Sequence, residues 1–122
     1  MKIQIKRVYD NKRPDGSYRV LVDRIWPRAI KKTDLFLNEW NKEITPSPTL
    51  RKWFDHKEER FAEFAIRYRL ELSSEGDELE RLRKIARKQP LTLLYGAKNH
   101  KINHAIILRD VLLLDQDEIQ IK

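Results

Sequence analysis

The pattern of hydrophobic and polar residues along the chain predicts three strands. Residues 2–9 alternate, with Ile3 and Ile5 on one side and polar residues on the other, which is typical of a strand with one buried face. Residues 10–17 are rich in turn formers and predict a loop. Residues 18–22 and 91–95 contain short apolar runs instead, which indicate strands that are buried on both faces.

A different periodicity predicts three of the helices. Within residues 57–72, the hydrophobic side chains of Phe61, Phe64, Ala65, Tyr68 and Leu72 are separated by 3, 1, 3 and 4 positions, which is typical of one face of a helix. A second helix is predicted over residues 77–88, where Leu79, Leu82, Ile85 and Ala86 share one face. Pro90 ends this helix. The last helix is predicted from His104 to about Leu114, with Asn103 as its cap.

Two shorter helices are predicted between the second strand and residue 57. Thr33 or Asp34 is a suitable cap for one that runs through Trp40. Ser47 is a suitable cap for the other, with Pro48 at its first position, where a missing N–H costs nothing. The chain end, residues 115–122, alternates weakly and predicts either a short edge strand or a frayed end.

The order of these elements predicts an α/β fold. We expect a small, mostly parallel sheet with helices packed against it, because apolar strands separated by helices favour parallel pairing. Without internal repeats or linker-like segments, residues 1–122 are predicted to form one domain. Ligands of open α/β sheets bind beyond the carboxyl ends of the strands, which here are residues 23–28 and 95–98.

Composition and charge narrow the class of partner. Lys and Arg number 26 against 19 Asp and Glu, a formal net charge of +7 that favours phosphate-bearing partners, including nucleic acids. The chain has no Cys, which excludes disulfides and thiolate chemistry. No signal-like start is visible, and no apolar run approaches the roughly 20 residues that cross a bilayer. We therefore expect a cytoplasmic protein with no membrane partner.

The residues after the second strand predict an anion-binding site. Arg24, Arg28 and Lys31 follow one strand end, and Lys98 follows the other. Guanidinium groups bind phosphate and carboxylate oxygens in pairs, so this set is suited to an anionic ligand. The alternative is an internal network of ion pairs, with Asp23 as the acidic partner of either arginine.

Asp23, Tyr95 and His104 are the candidates for proton transfer. The N-terminus of a helix favours an anion and an uncharged imidazole, so Asn103 and His104 are predicted to contact a ligand. Asp23 would orient His104 or Arg28, and Tyr95 would donate to a ligand oxygen. The alternative is that these groups only satisfy structural hydrogen bonds, with His104 donating to a backbone carbonyl or to Asp23.

Other kinds of site have little support in the sequence. Trp26 lies among charges and is the candidate for stacking on a ligand ring, whereas Trp40 is predicted to belong to the core. The three His residues lack metal-ligand spacing, so no metal site is predicted. Phosphate-loop and dinucleotide glycine motifs are missing too, and no cofactor is predicted.

Several segments resemble the YeaO-like proteins of the family known as domain of unknown function 488. The resemblance covers nearly the whole chain and rests on VLVDRIWPR (20–28), WNKEITPS (40–47), LRKWF (50–54), LLYGAK (93–98) and NHA (103–105). It implies an α/β fold and brings no established activity, substrate or cofactor. The family usually has Gly where this chain has Ala29. A positive φ there would cost Ala about 1 kcal/mol, and we expect ordinary backbone instead.

Three hypotheses about function follow from the sequence. The first is a domain that binds a phosphate- or carboxylate-bearing small ligand or nucleotide, with catalysis left open. The second is a nucleic-acid-binding module that uses the net positive surface. The third is a non-catalytic interaction protein whose charged residues are structural. Neither a reaction nor an oligomeric state follows from the sequence.

Overall fold

Four parallel strands form a single sheet in the computed structural model, which describes residues 1–114. The strands are β1 (Ile3–Arg7), β2 (Tyr18–Leu21), β3 (Glu39–Trp40) and β4 (Leu91–Tyr95). Their order across the sheet is β1-β4-β2-β3. The predicted α/β class with parallel pairing is confirmed, and the element predicted for residues 115–122 lies outside the described residues.

Within residues 1–114, four helices accompany the sheet: α1 (Pro48–Phe54), α2 (Phe61–Leu72), α3 (Gly76–Lys88) and α4 (His104–Leu113). Two predicted caps are confirmed, because the side chain of Ser47 accepts from the Leu50 amide and that of Asn103 from the Ile106 amide. The helix predicted to start at residue 57 begins at Phe61, after a 3-10 turn (Glu58–Arg60). Most of the helical periodicity was therefore assigned correctly.

The prediction of a short helix ending at Trp40 was wrong. This region forms one 3-10 turn (Lys32–Asp34) and then β3, which pairs with β2. The backbone bonds to β2 instead of to itself: the Asn38 amide donates to the Arg19 carbonyl at 2.8 Å, and the Arg19 amide donates to the Asn38 side chain at 2.7 Å. Strand pairing of this kind overrides a weak helical pattern.

The sheet is covered differently on its two faces. All four helices contribute to the core that contains Val20 and Leu93 on one face. On the other face, Leu21 and Leu94 pack with residues of the long segment between β2 and β3, including Ile30 and Leu35. Since side chains alternate along a strand, β2 and β4 are buried on both faces, as their apolar runs predicted.

A buried arginine anchors the loop between β1 and β2. Arg19 is fully buried, and its guanidinium contacts the Asp15 carboxylate at 3.2 Å and donates to the Phe36 carbonyl at 3.1 Å. Asp15 also accepts from Lys6 at 2.8 Å and from Ser17. Burial raises the pKa of Asp15, but the hydrogen bonds from Lys6 and Ser17 outweigh it and hold that pKa below its usual value. The carboxylate is thus the centre of a charged structural network.

Candidate functional site

A cavity of about 710 Å³ opens at the carboxyl ends of the strands. Tyr9 follows β1, Asp23 follows β2 and Gly96 follows β4, and all three line this cavity. His104, the first residue of α4, closes another side. The volume lies within the range of roughly 300–1,000 Å³ that is usual for small-molecule sites. The position matches the one predicted from the strand order.

Four cationic side chains line the cavity: Arg24, Arg28, Arg51 and Lys98. None of them belongs to an ion pair within residues 1–114. Arg24 only approaches the Pro46 carbonyl, at 3.4 Å. Asp23 is the single carboxylate in the described lining. The cavity therefore carries an excess of positive charge that the described part of the chain does not neutralise.

The structure brings six of the nine predicted site residues to this cavity: Asp23, Arg24, Arg28, Lys98, Asn103 and His104. Asn103 is almost fully buried and caps α4, so its side chain serves the helix. The neighbouring His104 is the better placed of the two to meet a ligand.

The other three predicted residues, Tyr95, Trp26 and Lys31, lie outside the lining. Tyr95 is buried, with its hydroxyl 3.2 Å from His100 Nδ1. The Trp26 indole donates to the Ile30 carbonyl at 2.6 Å and packs edge-on against Trp40 on the second face of the sheet. Lys31 is exposed and stands apart from the cavity.

Several lining residues were not identified from the sequence, notably Arg51, His56 and the pair Phe54 and Phe64. Arg51 and Phe54 belong to the LRKWF segment that carries part of the family resemblance. That segment was the available signal. Its place beside the strand ends follows only from the packing of α1 on α2.

The His104 imidazole is held by a main-chain oxygen and lies close to the Asp23 carboxylate, whose Oδ1 is buried and makes no hydrogen bond within residues 1–114. Its Nε2 lies 2.6 Å from the Val22 carbonyl oxygen and 3.2 Å from Asp23 Oδ1. Because a carbonyl oxygen only accepts, Nε2 carries a proton and donates it to Val22. The second Asp23 oxygen, Oδ2, accepts from the Gly96 amide at 2.8 Å. This geometry matches the alternative in which His104 makes structural hydrogen bonds, and it leaves Nδ1 as the only ring nitrogen able to act as a base.

Glycine is required at position 96 because its backbone lies in short contact with the Asp23 carboxylate. A Cβ at this position would lie 2.8 Å from Asp23 Oδ2, closer than real Cβ contacts. We expect Gly96→Ala to displace the carboxylate and to lower the free energy of unfolding by about 1–3 kcal/mol, the usual cost of overpacking. Chemical denaturation measures this change.

Gly76→Ala is the matched control for this substitution, since nothing lies within 4 Å of a Cβ there. Gly76 begins α3, where Ala has the higher helix propensity, so this variant should be neutral or more stable. Equal stability losses in both variants would contradict the close approach of Asp23 to Gly96.

Three residues near the cavity have left-handed backbone: Ala29 (φ 63°), Asp55 (φ 51°) and His56 (φ 54°). The expectation of ordinary backbone at Ala29 was wrong. The turn is fixed from both sides, because the Tyr9 hydroxyl donates to the Arg28 carbonyl at 3.0 Å and the Trp26 indole donates to the Ile30 carbonyl. Tertiary hydrogen bonds thus hold Ala in a conformation that favours Gly by about 1 kcal/mol.

Stacked aromatic rings form the inner wall of the cavity. The Phe54 and Phe64 rings are parallel within 17°, with centroids 4.2 Å apart. Phe64 also contacts Tyr68, whose ring meets the His104 imidazole edge-on at 6.4 Å. Tyr68 is fully buried and donates to the Ile44 carbonyl, and burial raises the pKa of its hydroxyl. The wall is therefore apolar and closely packed.

Within residues 1–114, no helix combines the length and hydrophobicity needed to cross a membrane. No group of three or more His, Asp or Glu side chains in the same part of the chain is arranged to hold a metal ion. The cavity combines cationic side chains with an apolar aromatic surface.

The fold and the cavity define a small parallel α/β protein with a basic pocket at the carboxyl edge of its sheet. Residues 2–120 match the family described as the inactive DUF488-N3 subclade, and the chain belongs to this family. The resemblance to YeaO-like proteins of domain of unknown function 488 is thereby confirmed.

Three relatives are each named as an uncharacterized protein. The chain is 56% identical over 112 residues to the uncharacterized protein YeaO of Escherichia coli K12, covering 92% of the chain and 97% of that protein. It is 40% identical over 111 residues to the uncharacterized protein Rv3073c of Mycobacterium tuberculosis H37Rv, covering 91% of the chain and 93% of that protein. The same values hold for the uncharacterized protein Mb3100c of Mycobacterium bovis. No solved structure matches the chain.

Proposed function

We propose that this protein binds a small ligand bearing a phosphate or carboxylate, such as a nucleotide, in the cavity at the strand ends. One observation carries the proposal: four cationic side chains line the cavity and form no ion pair within residues 1–114. Guanidinium groups that have no internal acidic partner can bind the paired oxygens of a phosphate or carboxylate.

Binding without catalysis fits the residues better than a reaction does. His104 uses Nε2 on the Val22 carbonyl, and Asp23 accepts from the Gly96 amide, so both groups have structural contacts. Tyr95, the third candidate for proton transfer, lies outside the lining. The word "inactive" in the description of the family points the same way. The protein is therefore proposed to be a binding domain in which the site residues hold a ligand.

The proposal is tested by titrating the protein with phosphate, nucleoside monophosphates and small carboxylates in a calorimeter and in thermal unfolding. At least one anion should raise the melting temperature. Arg51→Gln and Lys98→Gln should each weaken its binding roughly tenfold, the low end for a hydrogen bond to a charged group because both side chains are exposed.

Arg69→Gln is the control for charge, since Arg69 is exposed on α2 and does not line the cavity. It should leave the affinity for the small anion unchanged. If no anion stabilised the protein, or if Arg69→Gln weakened binding as much as Arg51→Gln, the cavity would not be the binding site. An oligonucleotide that bound with a steep salt dependence, equally weakened by all three variants, would favour the nucleic-acid-binding alternative.

A further inference from the structure

We infer that the ligand is an amphiphilic anion, with a ring-like apolar body against the inner aromatic wall and a phosphate or carboxylate at the rim. This inference rests on the proposed function and adds the class of the ligand and its orientation. It follows from how charge and apolar surface are distributed through the cavity.

Three of the four cationic side chains are more exposed than the aromatic part of the lining, whereas Arg24 is half-buried and the apolar Ile25 is 65% exposed. Arg28, Arg51 and Lys98 are exposed, so their charged groups belong to the mouth of the cavity. Phe54 and Phe64 are only 6% and 1% exposed and form part of its interior surface. A ligand that satisfies both parts has its charge outside and its apolar body inside.

Asp23 determines the orientation. Its side chain is 17% exposed, and its carboxylate lies beside His104 Nε2 and the Gly96 amide. No Lys or Arg within residues 1–114 forms an ion pair with it. A phosphate or carboxylate placed beside Asp23 would be repelled, because like charges interact strongly away from bulk water. The anionic group of the ligand is therefore directed to the arginines at the mouth.

The apolar wall selects the body of the ligand. A cavity of about 710 Å³ is far larger than an inorganic anion requires. Beyond Phe54 and Phe64, the half-buried Ile102 adds apolar surface to the lining. Because Phe54 and Phe64 stack on each other and are almost fully buried, a ligand ring would meet their edges, an arrangement that aromatic pairs favour, so a ring is the expected body. Burying one phenyl ring against such a wall should strengthen binding at least about tenfold.

A series of phosphates with different bodies tests this inference. Inorganic phosphate, glycerol 3-phosphate and phenyl phosphate are titrated calorimetrically into the full chain at one pH and ionic strength. We expect phenyl phosphate to bind at least about tenfold more tightly than glycerol 3-phosphate, which has a polar body of similar length. Equal affinities for these two compounds would overturn the inference.

Two variants separate the anionic group from the body. Arg51→Gln should weaken phenyl phosphate and inorganic phosphate by the same factor. Phe54→Leu should weaken phenyl phosphate at least about threefold and leave inorganic phosphate unchanged, since only the ring contacts the wall. If Phe54→Leu did not fold, as judged by circular dichroism, the half-buried Ile102→Thr would replace it with the same expectation.

The possible failures are distinguishable. If inorganic phosphate and phenyl phosphate both bound, with equal affinity and equal loss in Arg51→Gln, the proposed function would stand and the amphiphilic ligand would be wrong. If none of the phosphates or matching carboxylates bound, the proposed function itself would be wrong. If Phe54→Leu weakened all compounds equally, the apolar wall would not contact the ring.

Discussion

Phe64→Ala is expected to lower the free energy of unfolding by about 3–5 kcal/mol, the usual cost of removing a buried phenyl ring. Phe64 is 1% exposed and stacks on Phe54 with centroids 4.2 Å apart. It also contacts Tyr68 on the next turn of α2. Because the ring lies between α1 and the interior, its loss leaves a void that neighbouring helices cannot fill without moving. Urea denaturation followed by circular dichroism measures the change.

Phe36→Ala is the matched control for this substitution. Phe36 has the same side chain but is 42% exposed, so its removal should cost less than about 1.5 kcal/mol, roughly the value of the apolar area it still buries. Phe64→Leu should cost less than Phe64→Ala, since it retains most of the volume. A loss below that of Phe36→Ala would show that the aromatic stack does not support the fold.

Asp15→Ala is expected to lower the free energy of unfolding by about 1–3 kcal/mol, the usual cost of leaving a buried donor without its partner, because Arg19 is fully buried whereas Asp15 is partly exposed. Its removal leaves the fully buried Arg19 guanidinium with only the Phe36 and Asn11 carbonyls. Lys6 loses its partner as well. The cost arises mainly at Arg19, because an uncompensated charge remains away from water.

Asp10→Ala is the control, since the Asp10 side chain is 61% exposed and 3.8 Å from Arg7. Exposed pairs of this kind contribute at most about 1 kcal/mol. Equal losses of stability in both variants would contradict the stabilising role of the Asp15 contact with the buried Arg19.

The same residue predicts a pH dependence. The folded pKa of Asp15 lies below its unfolded value of about 3.9, so the folded state binds fewer protons near that pH. Its stabilisation is therefore fully present well above that value and is lost as the pH falls through the folded pKa. The difference between the original chain and Asp15→Ala should shrink on acidification below about pH 4. A difference that stayed constant down to about pH 2, well below the unfolded pKa, would contradict the lowered pKa of the carboxylate.

At the candidate site, His104 and Asp23 both have structural contacts. The proton on His104 Nε2 is directed to the Val22 carbonyl, and the Asp23 carboxylate is held by the Gly96 amide. The His104 bond links α4 to the segment after β2, and the Asp23 bond links that segment to the residue after β4. The cationic side chains at the mouth have no comparable structural contact within residues 1–114, apart from the weak bond of Arg24 to Pro46. Charge at the mouth is thus the property of the site that the fold leaves available for a ligand.

Local sequence signals identified most of the elements. Hydrophobic periodicity predicted α2 and α3, and the caps at Ser47 and Asn103 marked the starts of α1 and α4. These signals work because capping and amphipathic spacing are satisfied within a few residues. The same logic failed at β3, where hydrogen bonds to a distant strand replaced the predicted helix.

The sequence by itself determined the α/β class with mostly parallel pairing, the position of Asp23 and Arg24 directly after a strand, and that of His104 at the start of a helix. Only the tertiary structure decided which side chains share the cavity. It added Arg51 and the aromatic wall from α1 and α2 to the cavity. It placed Trp26 on the face of the sheet that the four helices do not cover. It also forced Ala29 into left-handed backbone. The physical reason is the sequence distance over which each interaction acts. Strand and cap signals act between near neighbours, whereas the lining of a cavity and a strained turn depend on contacts between segments far apart in the chain.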